Sequence, residues 1–268
     1  MPEQIQNRLA PKLSVIVTTF NRKEYLTETI QSILDQSYQD FELIVVDNYS
    51  NYDFLAFIDS FKSEKIFPIQ NNNNGVIAIN RNVGISHAEG KYLAFCDDDD
   101  VWVKNKLHDQ MIIINETQCD IVYSDMFLFK EDISNIVGRT SNNKTHNLKE
   151  MIKRNPINTS SVLVRNENIL FPEDPNLLAV EDYSLWLNLF IKGFRFAATE
   201  YPTVYFRISG SNTSGHKKMY SAKHLKLIYL YISLLIQNPN LQVKRQIMIQ
   251  ILINMLKYFY KEKFCGNK

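Results

Sequence analysis

Short apolar stretches alternate with helical patterns through the first hundred residues, and this alternation constrains the fold more than any other feature. Each apolar stretch is rich in β-branched or aromatic residues and is bounded by polar ones, as expected of a buried strand. Apolar strands joined by helices are typical of a parallel sheet covered on both faces. The predicted strands are residues 13–18, 41–46, 66–69 and 92–96, and the predicted helices are about residues 23–35, 52–61 and 76–87, the first capped by Asn21.

Polar side chains follow three of these predicted strands. Thr18 and Thr19 end the first strand. Asp47 and Asn48 end the second, and residues 97–100 end the fourth. Ligands of open α/β sheets bind at the carboxyl ends of the strands. We therefore expect these side chains, which are remote along the chain, to converge on one crevice.

Four consecutive aspartates, residues 97–100, directly follow the apolar residues of the fourth strand. Two unit charges about 4 Å apart repel each other by roughly 4 kcal/mol at an effective dielectric constant near 20. Such a cluster is neutralised either by protonation, with raised pKa values, or by a divalent cation. Oxygen ligands favour hard ions such as Mg²⁺ or Mn²⁺. The run therefore indicates metal-assisted phosphate chemistry, and its last member, Asp100, is expected to cap the helix that follows.

The second half of the sequence is less regular than the first. The helix predicted at residues 181–191 is strongly apolar and begins with two acids, Glu181 and Asp182, which suit the positive end of a helix dipole. The other predicted elements are a helix at 104–115, one long strand at 119–130, a polar segment at 131–147 with a loop at 141–144, strands at 160–165 and 194–206, and a loop at 209–218.

The C-terminal segment, residues 223–268, is predicted to form two helices separated at Asn238 and Pro239. The second helix carries more apolar side chains than one solvated helix needs. Three interpretations remain open: packing on the domain, a homodimer interface, and a helix that lies in the interface of the inner membrane.

Composition excludes several classes of protein. The 268 residues suffice for one large domain, and a formal net charge of +1 argues against a nucleic-acid partner. The three cysteines lack CxxC spacing, which favours a reducing compartment, and the five histidines lack zinc spacing. No leader-like start is visible, and no apolar run reaches about 18 residues. The expected location is cytoplasmic, or peripheral on the inner face of the cytoplasmic membrane.

Five motifs, in order, resemble those of family-2 glycosyltransferases: residues 14–22, 41–48, 80–85, 97–102 and 181–187. The resemblance spans about residues 12–214. It implies the GT-A fold, an α/β fold with a single Rossmann-like, mostly parallel sheet flanked by helices, here with a C-terminal helical appendage. The implied domains are residues 1–218, with a donor half at about 12–102 and an acceptor half at about 103–218, and a helical extension at 219–268.

The resemblance also implies roles for the acidic motifs. Asp99 would ligate Mn²⁺ or Mg²⁺ with Asp97, and Asp97 and Asp98 would hold the donor ribose. Asp182 is the candidate general base that accepts a proton from the acceptor hydroxyl. Glu181 is the alternative, because an alignment can slip by one residue here. The simpler interpretations are a solvated acidic turn and helix capping without chemistry.

The remaining implied residues bind the donor nucleotide. Arg81 would neutralise the diphosphate, since an Arg fork fits phosphate geometry; a surface salt bridge is the simpler interpretation. Four residues would form the base pocket, where strand-end capping is the simpler interpretation: Thr18, Phe20, Asp47 and Asn48.

Two positions depart from the pattern of the family. Asn48 stands where many relatives carry a second acid, so UDP, dTDP and GDP donors all remain open. Ser209 stands where a late motif often carries His, so no His metal ligand is available there. Arg207 and the loop after it are expected either to close over the donor or to be purely structural.

The implied function is that of an inverting glycosyltransferase. It would move a sugar from a nucleotide-diphosphate donor, with UDP-sugars preferred, to a hydroxyl of a glycan or lipid-linked acceptor in bacterial surface-polysaccharide synthesis. Two alternatives remain open. One is a non-catalytic partner that binds sugar nucleotides or glycans. The other is a sugar nucleotidyltransferase, which typically needs a Gly-rich loop and a Lys where this chain has residues 18–21.

Overall fold

The structure is a computed structural model that describes residues 13–141, 147–208 and 217–265. Among these residues, no helix combines the length and the hydropathy needed to cross a membrane. The helices are α1 (Lys23–Leu34), α2 (Phe54–Asp59), α3 (Ile77–His87), α4 (Lys106–Thr117), α5 (Leu148–Lys153), α6 (Glu181–Ile191), α7 (Lys217–Gln237) and α8 (Lys244–Cys265). The strands are β1 (Leu13–Thr19), β2 (Phe41–Asp47), β3 (Ile66–Gln70), β4 (Tyr92–Asp97), β5 (Val101–Trp102), β6 (Ile121–Tyr123), β7 (Met126–Phe129), β8 (Ile136–Arg139), β9 (Leu163–Arg165), β10 (Phe196–Ala198) and β11 (Val204–Arg207).

Seven strands form the central sheet, in the order β10-β6-β9-β4-β1-β2-β3. The strands β4, β1, β2 and β3 run parallel, whereas β9 runs antiparallel to both of its neighbours. In register, Thr18 pairs with Val46 and Asp97, and Thr19 pairs with Asp47. The carboxyl ends of three strands therefore lie level at one edge of the sheet, as the sequence predicted.

Helices cover both faces of this sheet because successive side chains of a strand point to opposite sides. On β1, Ile16 packs in the apolar layer that contains α3 and α6, whereas Val15 and Val17 pack in the layer that contains α1 and α4. A Cβ atom at Gly84 would lie only 2.5 Å from Ile16 Cγ2. Gly84 thus lets α3, which carries Arg81, lie directly against the sheet.

A smaller sheet of four strands has the order β5-β11-β7-β8. In it, β11 runs antiparallel to β5 and parallel to β7. Because β5 directly follows the aspartate run, this sheet attaches that run to the second half of the chain.

The prediction of one strand over residues 119–130 is wrong, since β6 belongs to the central sheet and β7 to the smaller one. Ser124 and Asp125 separate the two strands. Ser124 Oγ and Thr203 Oγ1 form a hydrogen bond of 2.7 Å, and Thr203 N donates to Asp125 O (3.3 Å). The segment at 131–147, for which only polarity was predicted, contains β8. Most of the loop predicted at 141–144 lies outside the described residues. The alternation of apolar residues in the sequence continues from β6 into β7, so it does not reveal that the two strands belong to different sheets.

Two predicted helix caps are also wrong. Asn21 has a φ angle of 55°, and its side chain accepts a hydrogen bond from Asn51 N (2.7 Å) instead of capping α1, which Arg22 precedes. Asp100 is followed by β5, and no helix begins there. It is fully buried, and its Oδ1 accepts a hydrogen bond from Arg207 N (3.3 Å).

The C-terminal helices α7 and α8 form a hairpin that packs on the domain. Leu230, Tyr231 and Leu234 of α7 are buried, as is Ile247 of α8. The packing interpretation of this segment is therefore correct for one face of each helix. The loop predicted at 209–218 lies largely outside the described residues.

Candidate active site

The predicted base pocket lies at the ends of β1 and β2. Asp47 is fully buried, and its carboxylate accepts hydrogen bonds from Ser50 N (3.0 Å) and Gln70 Nε2 (3.0 Å). Asn48 Oδ1 accepts one from Asn73 N (2.9 Å). These two side chains therefore hold the loops that surround the strand ends.

Two aromatic side chains stand beside these loops. Phe20, which follows β1, is 51% exposed, and Tyr49, which follows β2 with a φ angle of 57°, is 60% exposed. The sequence predicted a stacking face only for Phe20. Thr18 is buried in the sheet next to Asp97, so its side chain lines the strand end from within.

Arg22 holds two members of the aspartate run. Its Nη1 lies 3.1 Å from Asp98 Oδ1 and 2.9 Å from Asp99 Oδ2. Asp98 Oδ2 also accepts a hydrogen bond from Thr19 Oγ1 (2.8 Å). Burial raises the pKa of Asp98 to about 6, against the opposing charge of Arg22. Burial and then the charge of Asp97 raise the pKa of Asp99.

Arg81 joins the two acidic motifs. Its Nη2 donates to Asp97 Oδ1 and its Nη1 donates to Glu181 Oε1, both at 2.9 Å. The guanidinium lies over the ring of Phe171, with 5.1 Å between its carbon and the ring centroid. Only 5% of Arg81 is exposed, so its ion pair with Glu181 is buried and its ion pair with Asp97 is partly buried. The end of β4 and the start of α6 therefore meet in one cleft.

Asp182 is held by uncharged groups. Its Oδ2 accepts hydrogen bonds from Asn155 Nδ2 (3.1 Å) and Thr159 Oγ1 (3.4 Å), and its Oδ1 accepts one from Tyr183 N (2.6 Å). Burial first, and then the charge of Glu181, raise the pKa of Asp182 to about 7, while Arg81 opposes the shift. A carboxylate with a pKa near neutrality suits a general base.

The sequence profile of one family, described as glycosyl transferase family 2, matches residues 14–171, more than half of the chain. The chain belongs to glycosyl transferase family 2.

Two relatives of this family-2 chain come from Escherichia coli and Bacillus subtilis. The UDP-Glc:alpha-D-GlcNAc-diphosphoundecaprenol beta-1,3-glucosyltransferase WfaP of Escherichia coli is 31% identical over 208 residues, covering 76% of this chain and 80% of WfaP. The putative teichuronic acid biosynthesis glycosyltransferase TuaG of Bacillus subtilis is 27% identical, covering 77% of this chain and 83% of TuaG.

Solved structures show the GT-A fold that the resemblance implied. S. aureus TarS superposes with a TM-score of 0.70 at 22% identity, over 94% of this chain and 44% of TarS. Its 1–349 fragment in complex with UDP-GlcNAc gives a TM-score of 0.69, over 94% of this chain and 73% of the fragment. The mannosyltransferase PcManGT from Pyrobaculum calidifontis, in complex with GDP-Man and Mn2+, gives 0.63 at 16% identity, over 90% of this chain and 69% of that one.

In this family-2 glycosyltransferase, Arg207 is a structural residue of the acidic cleft. It is buried, its Nε donates to Asp99 O (3.1 Å), and its Nη2 lies 2.6 Å from Glu28 Oε2. Its guanidinium also lies over the ring of Tyr25, at 4.6 Å from the centroid. These contacts fix the backbone of the aspartate run and favour the structural interpretation of Arg207.

Asp97 and Asp99 are the candidate ligands of a divalent cation. Their carboxylates are close enough that the charge of Asp97 raises the pKa of Asp99. Within residues 13–141, 147–208 and 217–265, no three acidic, His or Cys side chains are placed to hold a cation by themselves. Two carboxylates, with phosphates and water in the other positions, are a usual set of ligands for Mg²⁺. The residues present therefore suit an ion that binds together with a diphosphate.

Sequence reasoning gave no role to Arg22, Asn155 or Thr159, all of which contact the predicted site acids. Arg22 lies three residues after Thr19, the first polar strand end, which was a usable signal for a cation near the aspartates. Asn155 and Thr159 lie before an antiparallel strand, and no local pattern ties them to α6.

Proposed function

We propose that the protein is an inverting, metal-dependent glycosyltransferase that transfers a sugar from a UDP-sugar to a hydroxyl of a lipid-linked acceptor in bacterial surface-polysaccharide synthesis. The observation that carries this proposal is the Arg81 bridge between Asp97 and Glu181. It joins the predicted donor half, residues 12–102, to the predicted acceptor half, residues 103–218, at the points where metal and base are expected.

The donor nucleotide would bind across the ends of β1, β2 and β4. The exposed ring of Phe20 offers a stacking face for the base. Asn48 uses its oxygen to bind Asn73 N, so its amide nitrogen is the group that could meet the edge of a base. Arg22 is partly exposed, whereas Arg81 is buried with both terminal nitrogens in ion pairs. Arg22 is therefore the better placed of the two to meet the diphosphate.

Asp97 and Asp99 would hold Mn²⁺ or Mg²⁺, which when bound supplies Lewis-acid stabilisation of the leaving nucleotide diphosphate. Asp182 accepts the proton of the attacking acceptor hydroxyl. The new glycosidic C–O bond forms as the bond between the anomeric carbon and the phosphate oxygen breaks. One displacement of this kind inverts the anomeric carbon and needs no covalent intermediate.

The acceptor class rests on the relatives. The name of WfaP specifies a UDP-Glc donor and a diphosphoundecaprenol-linked acceptor, and that of TuaG specifies teichuronic acid biosynthesis. A lipid-linked acceptor remains in the bilayer. We therefore place the reaction at the inner face of the cytoplasmic membrane.

The test is a thermal-shift panel of UDP-, dTDP- and GDP-sugars with and without Mn²⁺, followed by transfer to a synthetic lipid-diphosphate acceptor. We expect stabilisation by a UDP-sugar that requires Mn²⁺. Asp99→Asn should raise the Mn²⁺ concentration needed for stabilisation by about 100-fold, since changing even a residue that only contacts a metal ligand lowers metal affinity 10- to 100-fold. The matched control is Asp109→Asn, an exposed acid outside the cleft, which should behave as wild type. Equal donor binding with and without Mn²⁺ would contradict metal dependence, and binding of a donor without transfer would favour the non-catalytic alternative.

A further inference from the structure

The C-terminal hairpin carries a charge that the rest of the chain does not share. Between residues 217 and 265 there are nine Lys and Arg and one Glu, a net charge of +8. Because the whole chain has a net charge of +1, the remaining residues carry −7. The basic residues of this segment are Lys217, Lys218, Lys223, Lys226, Lys244, Arg245, Lys257, Lys261 and Lys263.

Helix α7 has two apolar faces. Leu230, Tyr231 and Leu234 lie on one face and are buried against the domain. The residues of the other face recur at intervals of three or four, so they share one side of the helix. They are between 40% and 74% exposed and comprise Leu225, Tyr229, Ile232 and Ile236.

Helix α8 repeats this arrangement. Ile247 and Asn254 are buried, and Asn254 Oδ1 forms a hydrogen bond of 2.8 Å with His224 Nδ1 of α7. A second stripe of α8, again at intervals of three and four, is between 40% and 60% exposed and comprises Met248, Leu252, Met255 and Phe259. Ile249 and Leu256 widen it on one side.

We propose that the C-terminal hairpin, residues 217–265, is a membrane-docking element whose apolar stripes enter the interface of a bilayer rich in anionic lipid. An apolar face flanked by Lys and Arg is the pattern of helices that lie in a membrane interface. Anionic headgroups attract basic residues near the surface, and they repel the remaining part of the chain with its charge of −7. The hairpin is thus the part of the molecule that faces the lipid.

The same charge argues against a second copy of the chain as the occupant of these stripes. A symmetric dimer through the hairpins would bring together two segments that each have a net charge of +8, and such like-charge contacts are costly. An anionic lipid surface instead supplies the opposite charge.

Contacts along α7 attach the hairpin to the acceptor side of the cleft. Tyr229 Oη donates to Asp174 Oδ2 (2.6 Å), and Lys226 Nζ donates to Leu178 O (2.7 Å), in the segment that leads into α6. On the buried face, the hydroxyls of Tyr231 and Tyr183 lie 3.2 Å apart. Since Tyr183 follows Asp182, a docked hairpin would place helix α7, about 10 Å across, between the proposed base and the bilayer. The inference extends the proposed function but does not depend on it, because docking needs neither donor nor acceptor.

The test is co-flotation of the full chain with phosphatidylcholine vesicles, with and without phosphatidylglycerol. We expect binding to the anionic vesicles alone. The double variant Leu252→Glu/Leu256→Glu should lower the vesicle affinity by about tenfold or more, since each charge opposes burial in the interface. The matched control is Leu55→Glu/Leu170→Glu, which changes two exposed leucines outside the hairpin and should bind as wild type.

A charge series separates lipid attraction from general hydrophobic adsorption. Removing three basic residues of the hairpin should weaken anionic-vesicle binding by about tenfold or more. Removing three exposed lysines outside the hairpin should leave anionic-vesicle binding unchanged. The first variant is Lys244→Gln/Arg245→Gln/Lys257→Gln, and its control is Lys91→Gln/Lys104→Gln/Lys130→Gln.

Thermal melts establish that each variant folds. The proposal is overturned if wild type ignores anionic vesicles, or if the hairpin variants and their controls bind alike. A dimer in light scattering that Leu252→Glu/Leu256→Glu dissolves, without vesicle binding, would assign the face to a second copy instead. Because donor binding is measured separately, loss of docking leaves the proposed chemistry standing.

Discussion

The acids on the two sides of the cleft are held in different ways. On the side of β4, Asp98 and Asp99 share the guanidinium of Arg22. At the start of α6, Glu181 takes the cation Arg81, while Asp182 receives hydrogen bonds only from uncharged groups in the described structure. A carboxylate that is paired with a side-chain cation can exchange that cation for a metal ion. A carboxylate held by neutral donors keeps a higher affinity for a proton.

The pKa values follow the same division. Burial raises the pKa of Asp98 to about 6 although Arg22 opposes it, and burial raises that of Asp182 to about 7. The neighbouring charge of Glu181 adds to the shift of Asp182, so the acid next to the candidate base contributes to its basicity. The comparison therefore predicts that the first group of acids serves metal and donor, and that Asp182 serves proton transfer.

The largest expected effect comes from Asp182→Asn. The amide keeps the size of the side chain but cannot accept a proton, so kcat should fall by roughly 10²- to 10⁴-fold. The KM for the donor should stay near the wild-type value, because the donor contacts the other side of the cleft. Transfer of a labelled sugar to the lipid-diphosphate acceptor measures both constants.

The control for that variant is Glu167→Gln, an exposed acid whose loss should leave kcat unchanged. Undiminished turnover in Asp182→Asn would contradict the assignment of proton transfer to the α6 side of the cleft. A larger loss in Glu181→Gln with normal folding would move the role of base to Glu181.

The second largest expected effect is the loss of wild-type activity at acid pH. The base acts in its ionised form, and its folded pKa is raised to about 7. The value of kcat/KM should therefore fall as the pH falls through 7, by about tenfold per pH unit on the acid side. Rates measured across this range at constant ionic strength test the assignment, and a flat profile with chemistry rate-limiting would contradict it.

The parallel half of the fold was predictable because each of its strands is a single apolar run that ends in polar residues. The strands β1 to β4 and the level placement of Thr19, Asp47 and Asp97 follow from that pattern. The helix α6 was predicted with its observed bounds because two acids mark its start. Local patterns of this kind carry enough information when each element, and the polar residues that end it, lie in one short stretch of sequence.

The same reasoning failed where contacts join distant segments. The break between β6 and β7 depends on Thr203, far along the chain, and the burial of Asp100 depends on Arg207. The buried bridge of Arg81 to Glu181 spans one hundred residues of sequence. No periodicity records such pairs, so the sequence predicted which acids matter but not what holds them.

The smallest expected effect, and the sharpest test of the comparison, comes from Arg22→Gln. If Arg22 occupies the position of the metal ion while no sugar donor is bound, its removal should strengthen Mn²⁺ binding to the donor-free enzyme severalfold. The free energy of unfolding should change by about 1 kcal/mol or less, since the Arg22 side chain is about one third exposed. Arg22 also lowers the pKa values of Asp98 and Asp99, so the titration belongs at alkaline pH, where both remain ionised. Electron paramagnetic resonance of free Mn²⁺ gives the affinity, with Arg195→Gln as a control because Arg195 is exposed and pairs with Asp120 outside the cleft. Weaker Mn²⁺ binding in Arg22→Gln would show that Arg22 supports the metal carboxylates instead of competing for them, and the contrast between the two sides of the cleft would then rest on Asp182 alone.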